Sequence, residues 1–241
     1  MDSWHWFQQE AAALGVPVTD EQRDRFARYH ALLVEANRTT NLTRITDLRD
    51  AILKHYLDSL LFLRLVPSEW TERPIRLVDV GAGAGLPGIP LLIARPNWSG
   101  VLMDAVGKKV AFMAGAMEAL GLSGEARHAR AEDLGHDPAF RERFDLGVAR
   151  AVAGLPELLE LTLPLVKPDG RLVVSKGAKG PEELEAAKPA LKTLNAAVSA
   201  AQTLQLPEEA GERYLYAISK RGATPRAYPR KPGIPHRKPL C

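Results

Sequence analysis

Apolar residues recur along this chain with two different periods, and the change between them marks its organisation. Behind Thr19 and Gln22, which have the spacing of a capping box, Phe26, Tyr29, Leu33 and Ala36 follow at helical intervals. This predicts a helix over 20–36. The polar stretch 37–46 ends it, and Asp47 can cap a second helix whose apolar stripe is Leu48, Ile52, Leu60 and Leu63, before Pro67. No strand is expected before residue 74.

From there the pattern becomes short β-branched runs alternating with helical ones, as in parallel βαβ units. Strands are predicted over 76–80, 101–104, 126–129, 144–149 and 171–175, with helices over 88–94, 108–120, 138–143 and 155–165. Lys167-Pro168-Asp169-Gly170 reads as a turn into the fifth strand. A helix over 181–194 carries Pro189, and runs over 197–206 and 214–220 are expected to close the sheet as an antiparallel pair. After Gly222, prolines at 225, 229, 232, 235 and 239 exclude a helix or central strand and predict an extended tail. The organisation is therefore a helical segment over 1–73, an α/β domain over 74–221 and a tail over 222–241, without an internal repeat.

Composition narrows the class. With 241 residues, 46% hydrophobic and 25% charged, the chain has globular proportions. Its one cysteine, Cys241, has no partner, which favours a reducing compartment and hence the cytoplasm. The segment MDSWHWFQQE lacks the features of a secretion signal, and no apolar run approaches the roughly 20 residues that span a bilayer. Asn41-Leu42-Thr43 fits the glycosylation triplet but is read as a loop. The net charge of +3 is uneven: residues 213–241 hold eight Lys or Arg and no acid, leaving −5 for the rest. Such an end attracts a polyanion or simply keeps the protein soluble.

The candidate chemistry begins at Val78-Asp79-Val80-Gly81-Ala82-Gly83-Ala84-Gly85-Leu86-Pro87-Gly88, where a strand runs into a turn of small residues before a helix. Backbone without β-carbons lets a ligand approach closely, and this is where doubly wound sheets bind nucleotides. Gly83, Gly85 and Gly88 also fit the dinucleotide fingerprint, and Asp104 at the second strand end suits the ribose of either cofactor. Glu132, after Ala131 beyond the third strand, separates the cases, because an acid there can recognise the exocyclic amine of adenine. A nicotinamide-dependent oxidoreductase would further need a catalytic His or Lys, and none stands out after residue 150. Arg150 ends the fourth strand, placed for a carboxylate, a phosphate or a structural ion pair. His55, Asp58 and Ser59 share one helix face, as a cluster over the cofactor mouth or a surface network. Lys176 ends the fifth strand, and Lys108 and Lys109 open a helix; all three are phosphate candidates.

With these residues in view the chain resembles the glucose-inhibited division protein B family, guanine-N7 methyltransferases of small-subunit (16S) ribosomal RNA. The matching segments are Asn41-Leu42-Thr43, Lys54-His55-Tyr56-Leu57-Asp58-Ser59-Leu60, VDVGAGAGLPGIPL, DAVGKKVAFM, RAED, Arg150-Ala151-Val152-Ala153, Lys176-Gly177 and YPRKPGIPHRKPL. Gly154 departs from the serine of many relatives, and 180–184 is not diagnostic. The resemblance implies a Rossmann-like class I methyltransferase fold, with a mostly parallel seven-stranded sheet and helices on both faces. It implies S-adenosylmethionine as cofactor, S-adenosylhomocysteine as product and no metal. Gly81, Gly83, Gly85 and Leu86 would line the methionine and ribose; Asp104, Ala105 and Val106 the ribose side; Ala131 and Glu132 the adenine; Arg150 would close the site.

Guanine N7 has a free lone pair and no proton to remove. An in-line displacement therefore needs no general base, and catalysis falls to positioning, with His55, Asp58 and Lys176 as the candidates. The N7 edge faces a groove too narrow for side chains, so the target guanine is expected in a loop or extruded. Lys108, Lys109, Lys176, Arg226, Arg230, Lys231, Arg237 and Lys238 are the expected RNA contacts, in ribosomal RNA or a ribosomal particle, by a monomer without membrane association. Truncation after Gly222 is expected to weaken mainly RNA binding, and Asp104→Ala mainly cofactor binding. An oxidoreductase using NAD and a non-catalytic RNA-binding protein are the competing classes.

Overall fold

The computed structural model describes residues 2–150 and 152–241; Ala151, within the matching segment 150–153, lies outside them. The Thr19 hydroxyl accepts the Gln22 N–H while the Gln22 side chain accepts the Thr19 N–H, so α2 (Asp20–Thr40) starts on a complete capping box. It outruns its predicted end because 37–40 holds no breaker; Asn41 then turns left-handed, and the Asn37 amide clasps the Thr43 backbone through both its N–H and C=O. An additional helix, α1 (Ser3–Ala13), precedes it and buries Trp6, Phe7 and Ala11. Phe7 packs edge-on against Phe26, with ring centroids 4.9 Å apart.

The second predicted helix is a composite. Asp47 caps α3 (Leu48–Ala51), which passes into a π-helical turn (Ile52–Leu57), then α4 (Asp58–Leu60) and a 3-10 turn (Leu61–Leu65). From Ala51 to Leu65 every residue but Lys54 and Arg64 is buried, a wider covered surface than a single apolar stripe. The π turn alters the i, i+3, i+4 register on which the face shared by His55, Asp58 and Ser59 was predicted.

The sheet contains β1 (Arg76–Val80), β2 (Ser99–Asp104), β3 (Gly124–His128), β4 (Phe144–Arg150), β5 (Val166–Lys176), β6 (Ala196–Gln205) and β7 (Glu212–Lys220). Their order is β3-β2-β1-β4-β5-β7-β6, with only β7 antiparallel to its neighbours. The crossover helices include α5 (Gly88–Ala94), α6 (Gly107–Leu120), α7 (Ala131–Leu134), α8 (Leu155–Thr162), α9 (Gly180–Ala186) and α10 (Lys188–Thr193). Adjacent strand residues face opposite sides: Leu77 joins the core formed with α5, α6 and the N-terminal helices, while Val78 joins that formed with α8 and α10. Burial on both faces explains why the strands read as continuous apolar runs.

Four expectations are corrected. The predicted turn at 167–170 is a bulge within β5: pairing with β4 jumps from Phe144↔Val166 to Leu146↔Arg171, and Asp169 takes a φ of 64°. Residues 138–143 form turns, since the left-handed Glu142 (φ 53°) cannot continue a helix. The predicted helix over 181–194 is split into α9 and α10, with Pro189 in the first turn of the latter, where its missing N–H does no harm. The tail is neither extended nor without helix: it folds back on the domain and contains α11 (Ile234–Arg237). No helix among the described residues is long and apolar enough to cross a membrane.

Candidate active site

The turn after β1 needs glycine at specific points. Gly81 and Gly83 have φ of +70° and +59°, and a β-carbon on Gly81 would come within 2.8 Å of a Val152 methyl carbon. Asp104, at the end of β2, holds this turn from below. Its Oδ2 accepts the Gly83 N–H at 3.0 Å and its Oδ1 the Val106 N–H at 2.9 Å. Asp79, fully buried in β1, accepts the Gly88 N–H through Oδ2 at 2.7 Å, while Oδ1 has no partner among the described residues. Burial pushes its carboxyl up to about 7.

Beside this turn lies a pocket of about 350 Å³ at the carboxyl ends of β1, β2 and β3. Of the cofactor candidates it brings together Gly81, Asp104, Ala105, Ala131 and Glu132. Gly83 and Val106 stand behind Asp104 as its amide donors, Gly85 and Leu86 lie in the turn outside the lining, and Arg150 belongs elsewhere. The walls also include Met103, Val152, Gly233 and His236, which sequence reasoning missed. Met103 precedes Asp104 on its strand and was within reach of that reading; Val152, Gly233 and His236 lie in matching segments but were given no role at the site.

A second cavity, of about 700 Å³, takes in His55, Asp58, Arg150 and Lys176, and shares Val152 with the first. Asp58, 4% exposed, joins two guanidiniums: Arg150 Nη1 donates to Oδ2 at 3.0 Å and Arg213 Nε to Oδ1 at 2.8 Å. Arg150 Nη1 also donates to the Lys54 carbonyl at 3.0 Å. The structural ion pair is thus the reading of Arg150 that the geometry supports, and Asp58 is its anchor. Arg213 had been counted only as part of a basic end.

His55 Nε2 is hydrogen-bonded to Thr43 Oγ1 at 2.9 Å, and its Nδ1 is buried without a partner among the described residues. Burial, reinforced by the charge of Arg150, lowers its pKa to about 4, so the ring is neutral near pH 7. The Ser59 hydroxyl donates to the His55 carbonyl at 2.5 Å, satisfied within its own helix. Lys176, which had been expected to meet phosphate, is buried and donates to Glu183 at 2.8 Å and to the Ala153 carbonyl at 2.5 Å.

The remaining RNA candidates divide. Lys108, Arg226, Lys231, Arg237 and Lys238 are exposed, while Lys109 lies 3.7 Å from Asp104. Arg230 is committed inward, its Nη2 donating at 2.6 Å to the completely buried Glu160. Arg141 donates to the carbonyls of Thr224 and Tyr228, and the Gly233 N–H to Glu132 Oε1 at 3.0 Å. Wrapped in this way, the C-terminal segment, expected mainly to bind RNA, also walls the first pocket. No group of three or more His, Cys, Asp or Glu among the described residues is placed to hold a metal.

Comparison with known proteins places the chain. The model of the GidB family, described as rRNA small subunit methyltransferase G, matches residues 22–212. A protein of Staphylococcus aureus (strain Newman) named ribosomal RNA small subunit methyltransferase G is 42% identical over 238 residues, covering 98% of this chain and 97% of its own. Among solved structures, a putative RNA methyltransferase from Pyrococcus horikoshii shares the fold with a TM-score of 0.53 at 14% identity, over 81% of this chain and 99% of that one. So does a Burkholderia thailandensis N1-methyltransferase solved with S-adenosylhomocysteine, at 0.53 and 16%, over 85% and 92%.

Proposed function

From the premise that this chain belongs to the GidB family of rRNA small subunit methyltransferases, we propose that it moves a methyl group from S-adenosylmethionine to N7 of a guanine in small-subunit (16S) ribosomal RNA, in the cytoplasm and as a monomer. The observation that carries this reading is the pair of pockets meeting at Val152. One is lined by Asp104 at the end of β2 and Glu132 in α7 just beyond β3, the other by the guanidiniums joined through Asp58.

The first pocket fits an adenosine. The glycine turn leaves room that a β-carbon on Gly81 would take, Val80 and Met103 supply apolar wall, and Asp104 and Glu132 supply acceptors for ribose hydroxyls and an exocyclic amine. S-adenosylmethionine supplies an electrophilic methyl group on a sulfonium. What the chain contributes is placement, which can amount to several kcal/mol in a reaction with no proton to remove. The neutral His55 and the saturated Asp58 are suited to shaping the second cavity rather than to proton transfer.

Among the exposed cations, Lys108, Arg226, Lys231, Arg237 and Lys238 are available for RNA phosphate, so binding should weaken steeply with salt. The test is to incubate the protein and small ribosomal subunits with methyl-labelled S-adenosylmethionine and to analyse the nucleosides by mass spectrometry. The expected product is 7-methylguanosine. Binding of NAD without S-adenosylmethionine in calorimetry, or label in another nucleoside, would overturn the reading.

A further inference from the structure

The nucleoside pocket is closed on one side by chain that lies about 100 residues away in sequence. Glu132 Oε1 accepts the N–H of Gly233, separated from it by 101 positions. Its other oxygen, Oε2, has no hydrogen-bond partner among the described residues and is not among their unsatisfied buried atoms, although the residue is only 9% exposed. Glu132, Gly233 and His236 all line the same pocket. A carboxylate accepts several donors at once, and fixing one oxygen with a backbone amide aims the other. The segment that delivers this amide is held by Arg230 on the buried Glu160 and by the grip of Arg141 on its carbonyls, so the amide is preorganised.

We propose that the C-terminal segment is a working part of the nucleoside site: Gly233 positions the Glu132 carboxylate so that Oε2 recognises the exocyclic amine of the base, and His236 forms the outer wall. The inference rests on the cofactor reading above and extends it to residues outside the glycine turn and the strand ends. Gly233 is suited to the task by its φ of +79°, which a β-branched residue does not adopt and asparagine tolerates; a β-carbon there would touch nothing within 4 Å. With open space at the β-carbon, backbone direction is the expected source of an effect of substitution.

The experiment compares binding of S-adenosylhomocysteine and S-inosylhomocysteine, which carries a carbonyl in place of the amine, by calorimetry. The proteins are the full-length chain, Gly233→Val, Gly233→Asn and His236→Ala. Gly233→Val should lose about tenfold or more in affinity for the adenosyl ligand, the loss expected of one charge-assisted hydrogen bond, and most of the preference for adenosyl over inosyl. Gly233→Asn should retain both, and His236→Ala should weaken both ligands alike. The ratio guards against mere loss of folded protein, which lowers the apparent affinity for both ligands together. Wild-type binding with an unchanged ratio in Gly233→Val overturns the inference alone. A wild-type protein that binds neither ligand overturns the cofactor reading and this inference with it.

Discussion

The hydroxyl of Tyr29, on α2, donates a 2.5 Å hydrogen bond to the carbonyl of Ala84 in the glycine turn, 55 residues further along the chain. Tyr29 is completely buried and in ring contact with Tyr56, whose own hydroxyl bonds His30. The N-terminal helices therefore brace the glycine turn from behind. Removing only the donor, in Tyr29→Phe, should cost about 1–2 kcal/mol of stability and weaken S-adenosylmethionine binding several-fold. Urea unfolding and calorimetry give the two values; unchanged ligand affinity would remove the N-terminal segment from the site.

Asp58 holds Arg150 and Arg213 together from two distant parts of the chain. Asp58→Ala leaves two guanidiniums in partly buried positions without their counter-ion, which should cost about 3 kcal/mol. Asp58→Asn keeps the shape and should cost less, while methyl transfer falls in both. Urea titrations beside activity assays check the order of the variants.

Glu160 is completely buried on α8 and its carboxylate meets Arg230. Glu160→Gln should loosen the C-terminal segment, and limited trypsin digestion should then cut after Arg226 or Arg230 faster than in the wild type. Because the same segment walls the pocket proposed for the nucleoside, truncation after Gly222 is now expected to weaken cofactor binding as well as RNA binding. A truncated protein with full cofactor affinity would argue against that wall.

Two buried groups give opposite pH dependences. Asp79 rises from its usual 3.8 to about 7, so the folded state holds a proton that the unfolded chain releases, and its contribution is lost as pH climbs through that window. His55 falls from 6.5 to about 4, so the unfolded chain takes a proton that the folded state refuses, and its contribution is lost as pH drops through that window. Relative to wild type, Asp79→Asn should therefore gain stability toward pH 7, and His55→Gln should gain it toward pH 4. Denaturant midpoints measured from pH 4 to 8 test both signs.

Much of the fold was legible because it obeys local rules. The capping box of Thr19 and Gln22, the apolar runs of β1 and β4, and the glycines at 81 and 83 all act within a few residues of themselves. Once parallel strands are placed in order, their carboxyl ends share one edge, so Asp104 and Glu132 could be assigned to one pocket before any packing was known. Where local rules met competing demands the reading slipped. The second helix became π-helical within a largely buried segment, and Glu142 turned left-handed where its carboxylate meets Lys220.

The sequence by itself determined the strands of the sheet, the capped start of its longest helix and where the glycine turn can bend. Only the tertiary structure decided how the charges are used. It joined Asp58 to Arg150 and Arg213, Glu160 to Arg230, Lys176 to Glu183, and Glu132 to the amide of Gly233. The physical reason is that a charge withdrawn from water must find a partner wherever packing brings one, and no spacing along the chain encodes that meeting.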